Sequence, residues 1–333
     1  MSKQMSNKNK FFAPEIGALV ACVVIATLIL ILVFVFTGAS TDNGGAELTS
    51  SIVVGDDESD VSGAGEDSET SEESKAPEIK YINVDNANAT EGDLILVNSN
   101  HEYAFPSESE LVEVYEYKTS SYKVGDTDIS LNKSVVEKLN EMADAFYSAT
   151  DKNNLTVTVG FLDSEAQKEV YDKKVDSLGE EQAAIWAQKP GFSEHHTGLA
   201  FNLSIYPSDG DKIGEGTYKW VTDNAWQYGF IRRYPADKAS VTLINDDPNH
   251  FRYVGVAHAC YMHLNGLCLE EYLEVLRERT VDNPLEVTDG VNRYEIYCCT
   301  VSGGGFTEIP VKNGAEYSIS GDNCGRYVVT VKM

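Results

Sequence analysis

Two histidines of this chain lie in segments whose side chains suit metal-assisted chemistry. His195 lies within Ser193–Asn202, at the start of a predicted strand, and His250 follows the carboxylate of Asp247 by three residues. Two imidazoles with nearby oxygen ligands are what a catalytic zinc ion requires, provided that one coordination position stays open for water. A carboxylate beside that water can accept its proton. Two histidines so far apart in a chain are more often unrelated than ligands of one metal, so the spacing alone leaves both interpretations open.

Periodic hydrophobic residues predict the elements that must position these segments. Hydrophobic residues alternate at Leu155–Phe161 and Leu199–Ile205, which indicates strands, and a further strand is expected around Phe251. A capping box at Ser164–Gln167 predicts the start of a helix. The other predicted elements are a strand at Leu94–Asn98 and helices at about Ser134–Ser148, Trp220–Tyr228, Val256–Asn265 and Leu269–Arg277. Both histidine segments are therefore expected among strands.

The pattern changes after about residue 281, where short strand-like stretches alternate with glycine-containing turn signals. The stretches are Arg293–Thr300, Thr307–Lys312, Glu316–Ser320 and Arg326–Lys332. They predict a small β-module at 281–333, appended to a larger domain at 79–280.

An apolar run near the N-terminus predicts a membrane anchor. Ile16–Phe36 contains no charged residue, and it is about as long as a helix that crosses a bilayer core, roughly 20 residues. Three lysines precede the run and an acidic segment follows it, so residues 1–15 are expected in the cytoplasm and the rest outside. We therefore expect a single-pass protein of the cell membrane with an extracellular ectodomain. A cleaved signal peptide has a shorter apolar core, and a lipoprotein site at Leu19–Cys22 is disfavoured because the run continues past it.

Acidic residues dominate the charge of the chain. It has 26 Lys+Arg against 53 Asp+Glu, a formal net charge of −27. Such a chain repels phosphates, so nucleic acid is not expected as a partner. Residues 37–78 are rich in Ser, Gly, Thr, Asp and Glu. They cannot bury enough apolar surface to offset the entropy of the chain, which predicts a disordered stalk.

Six cysteines are present, without a C-x-x-C pair that would indicate a thiolate zinc finger. Five of them follow the apolar run, and an odd number leaves at least one thiol without an intramolecular partner. Cys298 and Cys299 are adjacent in a predicted strand and should face opposite sides. A bridge from one of them to Cys324 is one alternative, and buried unpaired thiols are the other.

The two histidine segments together resemble a known pair of motifs. Ser193–Asn202 is similar to S-x-H-x-x-G-x-A-x-D, and Asp247–Gly255 is similar to E-P-W-H-x-R-Y-V-G. These are the paired signatures of the zinc D-alanyl-D-alanine carboxypeptidase family of the vancomycin-resistance type. Phe161–Gln167 occupies the place of the family's Y-R-S-x-x-x-Q, and Gly229–Pro235 resembles the stretch between the signatures. The motifs fall in the family's order and cover most of the chain beyond the acidic segment.

The resemblance implies an α+β fold built on a small antiparallel sheet with flanking helices. It implies a zinc ion held by two His and one Asp, a Glu as general base, and an Arg that binds the substrate carboxylate. The implied substrate is the D-Ala-D-Ala end of peptidoglycan stem peptides. By position, His195 and His250 match the histidine ligands, and Ser193 and Gln167 match residues of the substrate pocket.

Three positions that bear on the chemistry depart from the family's pattern, and Asn249 also replaces the Trp before the second His. Asn202 stands at the place of the ligand Asp, and a neutral amide is a poor zinc ligand. Asp247 replaces the base Glu and is one methylene shorter, and a misplacement of about 1 Å can cost on the order of a hundredfold in rate. Leu162 replaces the Arg and cannot pair with a carboxylate. Together they predict that the fold is kept while hydrolysis is impaired or lost.

Three functions stay open from the sequence. The first is a membrane-anchored family member that binds or acts on stem peptides with impaired zinc-dependent hydrolysis. The second is an active zinc carboxypeptidase of altered specificity, in which Leu162 accepts a different peptide end and Asp247 still serves as the base. The third is a non-enzymatic scaffold of the cell surface, with the β-module 281–333 as its binding part.

Overall fold

The computed structural model of the chain describes residues 78–105, 110–208 and 210–333. The predicted membrane anchor Ile16–Phe36 lies outside the described residues, as does the predicted stalk except for its last residue. Within the described ranges, no helix is both long enough and apolar enough to cross a membrane.

The described residues form a mixture of strands and helices. The strands are β1 (Ile79–Asp85), β2 (Leu111–Glu113), β3 (Lys123–Val124), β4 (Ser130–Asn132), β5 (Leu155–Val159), β6 (Ala200–Ile205), β7 (Phe230–Tyr234), β8 (Asp247–Tyr253), β9 (Leu285–Thr288), β10 (Arg293–Thr300), β11 (Phe306–Lys312), β12 (Glu316–Gly321) and β13 (Arg326–Lys332). The α-helices are α1 (Val114–Tyr117), α2 (Lys133–Thr150), α3 (Ser164–Leu178), α4 (Glu180–Ala183), α5 (Lys219–Asn224), α6 (Ala239–Thr242), α7 (Val256–Asn265) and α8 (Leu269–Leu276). Short 3-10 helices lie at Asn86–Thr90, Glu194–Thr197, Gly216–Tyr218, Ala225–Tyr228 and Ala236–Lys238. This composition confirms the α+β class.

The sheet that carries both histidine segments has the strand order β3-β5-β6-β8-β7. Its strands pair antiparallel except β3 and β5, which run parallel. This sheet is therefore mixed, which corrects the expectation of an antiparallel sheet. One of its faces packs against α2, where Leu139, Met142 and Phe146 join Phe201 and Leu203 in the main hydrophobic core.

The register of the strands defines a second, open face of this sheet. His250 pairs with Asn202, Ser204 pairs with Thr156, and Thr156 pairs in turn with Lys123. Paired residues of neighbouring strands point to the same side of a sheet, as do residues two apart along one strand. All five residues therefore lie on the face opposite to the hydrophobic core.

Most predicted elements are found, with bounds that differ by a few residues. The helix predicted at Trp220–Tyr228 is divided, because α5 ends at Asn224 and a 3-10 turn continues to Gly229, whose φ of 86° ends it. The predicted capping box at Ser164–Gln167 is wrong. The cap of α3 is Asp163, whose carboxylate accepts a hydrogen bond from the Ala166 amide at 2.8 Å.

The strand predicted at Leu94–Asn98 is also wrong. This segment is buried but joins no sheet. Its main chain bonds instead to C-terminal residues: the Leu94 amide donates to Ser320 Oγ at 2.9 Å, and the Leu96 amide donates to the Asp322 carbonyl at 3.0 Å. A segment enclosed on all sides has the same continuous apolar pattern as a buried strand, which explains the error.

The C-terminal strands form a sheet of order β12-β13-β10-β9 and a separate pair, β1-β11. All four strands predicted beyond residue 281 are present. β1 pairs with β11 from Ile79 opposite Lys312 to Asp85 opposite Phe306. The first residues of the predicted domain 79–280 therefore lie with strands of the predicted module 281–333, and the boundary between the two stays a prediction.

A shared core joins the C-terminal strands to α7 and α8. Tyr272 of α8 packs there with Ile296 and Val328. His258 of α7 is buried in the same region, with its two ring nitrogens 2.7 Å from Tyr272 Oη and 3.0 Å from Thr330 Oγ1. Burial lowers the pKa of His258 to about 3, so its imidazole stays neutral.

The five cysteines of the described residues are all free. Cys298 packs against the core shared with α8, whereas Cys299 packs against the core formed with Ile309 and Tyr327. The prediction that the two face opposite sides is confirmed. The bridge to Cys324 is not formed.

Candidate active site

A short helical turn positions His195. Ser193 precedes the turn Glu194–Thr197, and its hydroxyl accepts a hydrogen bond from the His195 amide at 3.3 Å. His195 Nδ1 lies 2.8 Å from the carbonyl of Gly160. A carbonyl only accepts, so Nδ1 carries the proton and Nε2 keeps a lone pair. Burial, together with His250, lowers the pKa of His195 to about 3 and keeps the ring neutral.

Strand pairing brings the other two predicted ligands to His195. Asn202 of β6 is opposite His250 of β8, and Asn202 Oδ1 lies 3.0 Å from His250 Nδ1. The rings of His195 and His250 are 4.9 Å apart, centroid to centroid, and nearly perpendicular. The three residues therefore converge on the open face of the sheet. Their role as metal ligands stays a prediction.

Glu194 lies behind His250 as a buried carboxylate. Its Oε1 accepts hydrogen bonds from Arg233 Nε at 2.8 Å and from Arg252 Nη1 at 2.9 Å. Burial alone would raise the pKa of Glu194, but the two guanidinium groups outweigh it and hold the pKa well below its usual range. Glu194 is therefore an anion, and its second oxygen, Oε2, lies 3.6 Å from His250 Nε2.

Further contacts fix the two arginines. Arg233 makes a bidentate pair with Glu270, with N–O distances of 2.9 and 2.7 Å. Arg252 donates from Nη2 to the carbonyls of Asp93 and Ile95, at 2.9 and 3.0 Å. Both arginines are fully buried. Two cations and two anions thus balance in a closed network, which is the condition under which buried charges are tolerated.

Two contacts bear on the ring nitrogens of His250. Nδ1 lies 3.0 Å from Asn202 Oδ1, and an amide oxygen only accepts, so this contact is a hydrogen bond when Nδ1 carries the proton. Nε2 lies 3.6 Å from Glu194 Oε2, which is beyond hydrogen-bond distance, and both atoms are buried without a hydrogen-bond partner among the described residues. A proton held on Nδ1 by Asn202 leaves no lone pair there for a metal.

Asp247, the predicted base, is placed at the start of β8. The pairing of β7 with β8 is irregular between Arg232 and Tyr234, so simple alternation does not determine the side that Asp247 faces. Its Oδ1 accepts a hydrogen bond from the Asn249 amide at 2.9 Å. This bond leaves the second carboxylate oxygen available, and the role of Asp247 as a base stays a prediction.

The predicted substrate-binding residues surround the His195 turn. The Leu162 amide donates to the His195 carbonyl at 3.2 Å, which places Leu162 beside the turn. Gln167 is buried on α3, and its Nε2 donates to the Gln188 carbonyl at 2.6 Å. Its Oε1 is enclosed without a hydrogen-bond partner. Ser193 is also buried. Around this turn Leu162 supplies no charge, and the amide nitrogen of Gln167 is already in use.

The side chains at this site do not supply the usual donors of a catalytic zinc ion. His195 and His250 are suitable ligands, but the third donor is the neutral amide of Asn202 instead of Cys, His, Asp or Glu. Among the described residues, no group of three or more His, Cys, Asp or Glu is arranged to hold a metal. Glu194 lies on the far side of the His250 ring and is bound to two arginines. A divalent ion here would keep its charge uncompensated, so the residues fit zinc poorly.

Sequence reasoning missed the charged network of Glu194, Arg233, Arg252 and Glu270. A signal was present, since Arg252 lies in the strand predicted around Phe251, and Arg233 lies among the hydrophobic residues Phe230, Ile231 and Tyr234. An arginine in such a segment requires a buried carboxylate partner. The sequence did not say which of the many acidic residues that partner was.

Comparison with known proteins agrees with this geometry. The family model described as VanY, D-alanyl-D-alanine carboxypeptidase, matches residues 128–256. A D-alanyl-D-alanine carboxypeptidase of Enterococcus faecium is 32% identical over 245 residues, which cover 72% of this chain and 75% of that protein. The putative carboxypeptidase YodJ of Bacillus subtilis is 34% identical over 196 residues, which cover 55% and 68% of the two chains.

Among solved structures, the vancomycin resistance D,D-dipeptidase VanXYg, in complex with a D-Ala-D-Ala phosphinate analog, superimposes with a TM-score of 0.68 at 29% identity. The match covers 77% of this chain and 100% of that one. The similarity to these relatives therefore covers more of the chain than residues 128–256, which the family model matches. With its paired histidine segments on one face of the sheet, this chain belongs to the D-alanyl-D-alanine carboxypeptidase family.

Proposed function

We propose that this protein binds the C-terminal end of peptidoglycan stem peptides on the open face of the five-stranded sheet, and hydrolyses them slowly or not at all. Family membership supports the substrate class, since its relatives carry the name D-alanyl-D-alanine carboxypeptidase. VanXYg was crystallised with a D-Ala-D-Ala phosphinate analog. The protein thus binds the same class of ligand as its relatives but hydrolyses it more slowly or not at all.

The observation that carries the reduced hydrolysis is Asn202. Its side chain lies 3.0 Å from His250 Nδ1, and position 202 is the one predicted for the third metal donor. It brings no negative charge to offset that of zinc, and its amide oxygen accepts from a protonated His250 Nδ1, which then has no lone pair for the metal. Without a strongly held metal, water at the site is not activated. Leu162 reduces hydrolysis further, because it offers no cation to orient a terminal carboxylate.

The test compares the parent with a triple variant of the full-length chain, Asn202→Asp, Asp247→Glu and Leu162→Arg. Each protein is supplied with zinc and a stem pentapeptide, and released D-alanine is measured along with peptide binding by calorimetry. We expect the parent to bind the peptide without appreciable release, and the triple variant to bind zinc and release D-alanine. Release by the parent at the rate of the triple variant would overturn the proposal.

We also propose that Ile16–Phe36 anchors the protein in the cell membrane with the sheet outside, where peptidoglycan lies. The uncharged run and the lysines before it support this orientation. Protease added to intact protoplasts should then digest residues 78–333 and spare the N-terminal tail. Protection of 78–333 until the cells are lysed would contradict this arrangement.

A further inference from the structure

A groove beside the candidate active site is lined by residues other than the predicted site residues. Its volume is about 570 Å³, and its lining includes Lys118, Lys123, Ser204, Tyr115 and Tyr206. Tyr115 and Tyr206 are 51% and 69% exposed. Exposed aromatic rings together with charged groups are typical of a surface that binds a partner. We call this feature the lysine groove.

The lysine groove continues from the position of Asn202. Ser204 is two residues farther along β6 on the same face, which is about 7 Å at the usual rise of a strand. Thr158, another wall residue, donates its hydroxyl to the Asn202 carbonyl at 3.3 Å. Lys123 lies two strands away from β6, about 10 Å across the sheet. An extended peptide whose end lies beside Asn202 would therefore place its third or fourth residue near Lys123, at about 3.4 Å per residue.

The two lysines have unused hydrogen-bonding capacity. Lys118 Nζ donates to the carbonyls of Thr119 and Tyr122, at 3.0 and 3.1 Å, and Lys123 Nζ donates to the carbonyl of Tyr206 at 3.0 Å. An ammonium group has three N–H donors, so one remains on Lys118 and two on Lys123. Within the described ranges, neither lysine has a carboxylate within the 4.0 Å of an ion pair.

Half-buried ammonium groups without a carboxylate partner are unexpected in a chain of net charge −27. Carbonyl groups hold both of them in place, so little side-chain entropy would be lost when they bind an anion. A peptide carboxylate would supply the missing charge, and hydrogen bonds between ions are stronger than those between neutral groups. The groove is thus complementary to an acidic peptide.

We propose that the lysine groove binds the carboxylate-bearing residues of the stem peptide that precede its C-terminal end. This inference rests on the proposed function and adds a second point of recognition to it. Lys118 and Lys123 bind the carboxylates, while Tyr115 and Tyr206 pack against the aliphatic parts of the peptide. The groove thereby orients the peptide with its C-terminal end toward His195, and it selects acidic peptides over neutral ones.

The test measures the Kd of the full-length chain for two peptides by calorimetry. One is a stem pentapeptide with free carboxylates before its C-terminal end, and the other is the same peptide with those carboxylates amidated. The parent should bind the acidic peptide about tenfold more tightly. The double variant Lys118→Gln, Lys123→Gln should lose that preference and bind the amidated peptide as the parent does, which also shows that its site is intact. If the double variant does not fold, Lys123→Gln alone should lose about threefold.

The matched control is Lys80→Gln with Lys332→Gln, which removes the same charge on strands β1 and β13. It should leave both affinities unchanged. An equal loss in the control, or parent-like affinity of the groove variant for the acidic peptide, would overturn the inference and leave the proposed function standing. Binding of neither peptide by the parent would overturn both. Tighter peptide binding by the groove variant would indicate that acidic residues of the chain itself compete for the groove, and would also overturn the inference.

Discussion

The two sides of the His250 ring differ in charge. Behind the ring, Glu194 is bound to Arg233 and Arg252, and Arg233 also binds Glu270, so every charge of that network has an opposite partner. In front of the ring, Asn202 presents only a neutral amide. The charged groups beside His250 are therefore different residues from those that would hold a metal. The charged network is fully paired here, so His250 keeps its position although the predicted metal ligands lack a negative charge.

The largest expected effect tests the rear network. Glu194→Gln keeps the shape of the side chain but leaves the buried Arg252 and Arg233 with one carboxylate fewer. Removing one partner from a buried ionic network costs about 3–5 kcal/mol in unfolding free energy. Urea denaturation measures the loss. The exposed pair Lys168–Asp172 is the control, and Lys168→Gln should cost below about 1 kcal/mol. Equal losses in both variants would remove the distinction between the network and an ordinary surface pair.

The next effect tests the front of the ring. Asn202→Asp restores a negative donor beside His195 and His250, so zinc should bind about a hundredfold more tightly, or about 2.7 kcal/mol. Competition with a chromophoric chelator measures the affinity. Asn202→Ser, which adds no charge, should show no gain. An unchanged affinity in the aspartate variant would mean that charge is not what limits metal binding at this site.

A smaller effect concerns pH. It tests His258, which is buried where α7 and α8 pack against the C-terminal strands, away from the candidate active site. The pKa of His258 falls from an ordinary 6.5 to about 3 on folding. Between these values the unfolded chain binds more protons, so stability is complete above about pH 6.5 and is lost as the pH falls, by up to about 1.4 kcal/mol per pH unit. His258→Gln should reduce the loss between pH 6.5 and 5 by about 1.6 kcal/mol in urea denaturation. A variant whose pH profile parallels that of the parent would assign the acid sensitivity to other groups.

The smallest effect tests the buried segment that supports Arg252 from the side. Ser320 Oγ accepts from the Leu94 amide, next to the Ile95 carbonyl that Arg252 binds. Ser320→Ala should cost about 1 kcal/mol, the net contribution of one hydrogen bond. Ser318→Ala, at an exposed position two residues earlier on β12, should cost close to zero. Thermal unfolding of both variants decides whether the segment is held by this bond or by burial alone.

Local patterns predicted much of the fold. The helical spacing of Val135, Leu139 and Phe146 was sufficient for α2, and alternation with turn signals was sufficient for β10 to β13. Such periodicities arise because one element packs against one apolar surface, so they are visible among residues that are close in the sequence. The same pattern failed at Leu94–Asn98, because continuous burial does not reveal whether the neighbours are strands or side chains.

The sequence by itself determined the two histidine segments, the neutral Asn202 in the first of them, and the fold class that their motifs imply. Only the tertiary structure decided that Glu194 is the carboxylate of the two buried arginines, that β1 pairs with β11, and that Lys123 shares a sheet face with Asn202. Each of these features depends on which residue or strand, far away in the sequence, becomes the partner. Many acidic residues and many strands could satisfy the same local pattern, and only the packing of the whole chain selects one of them.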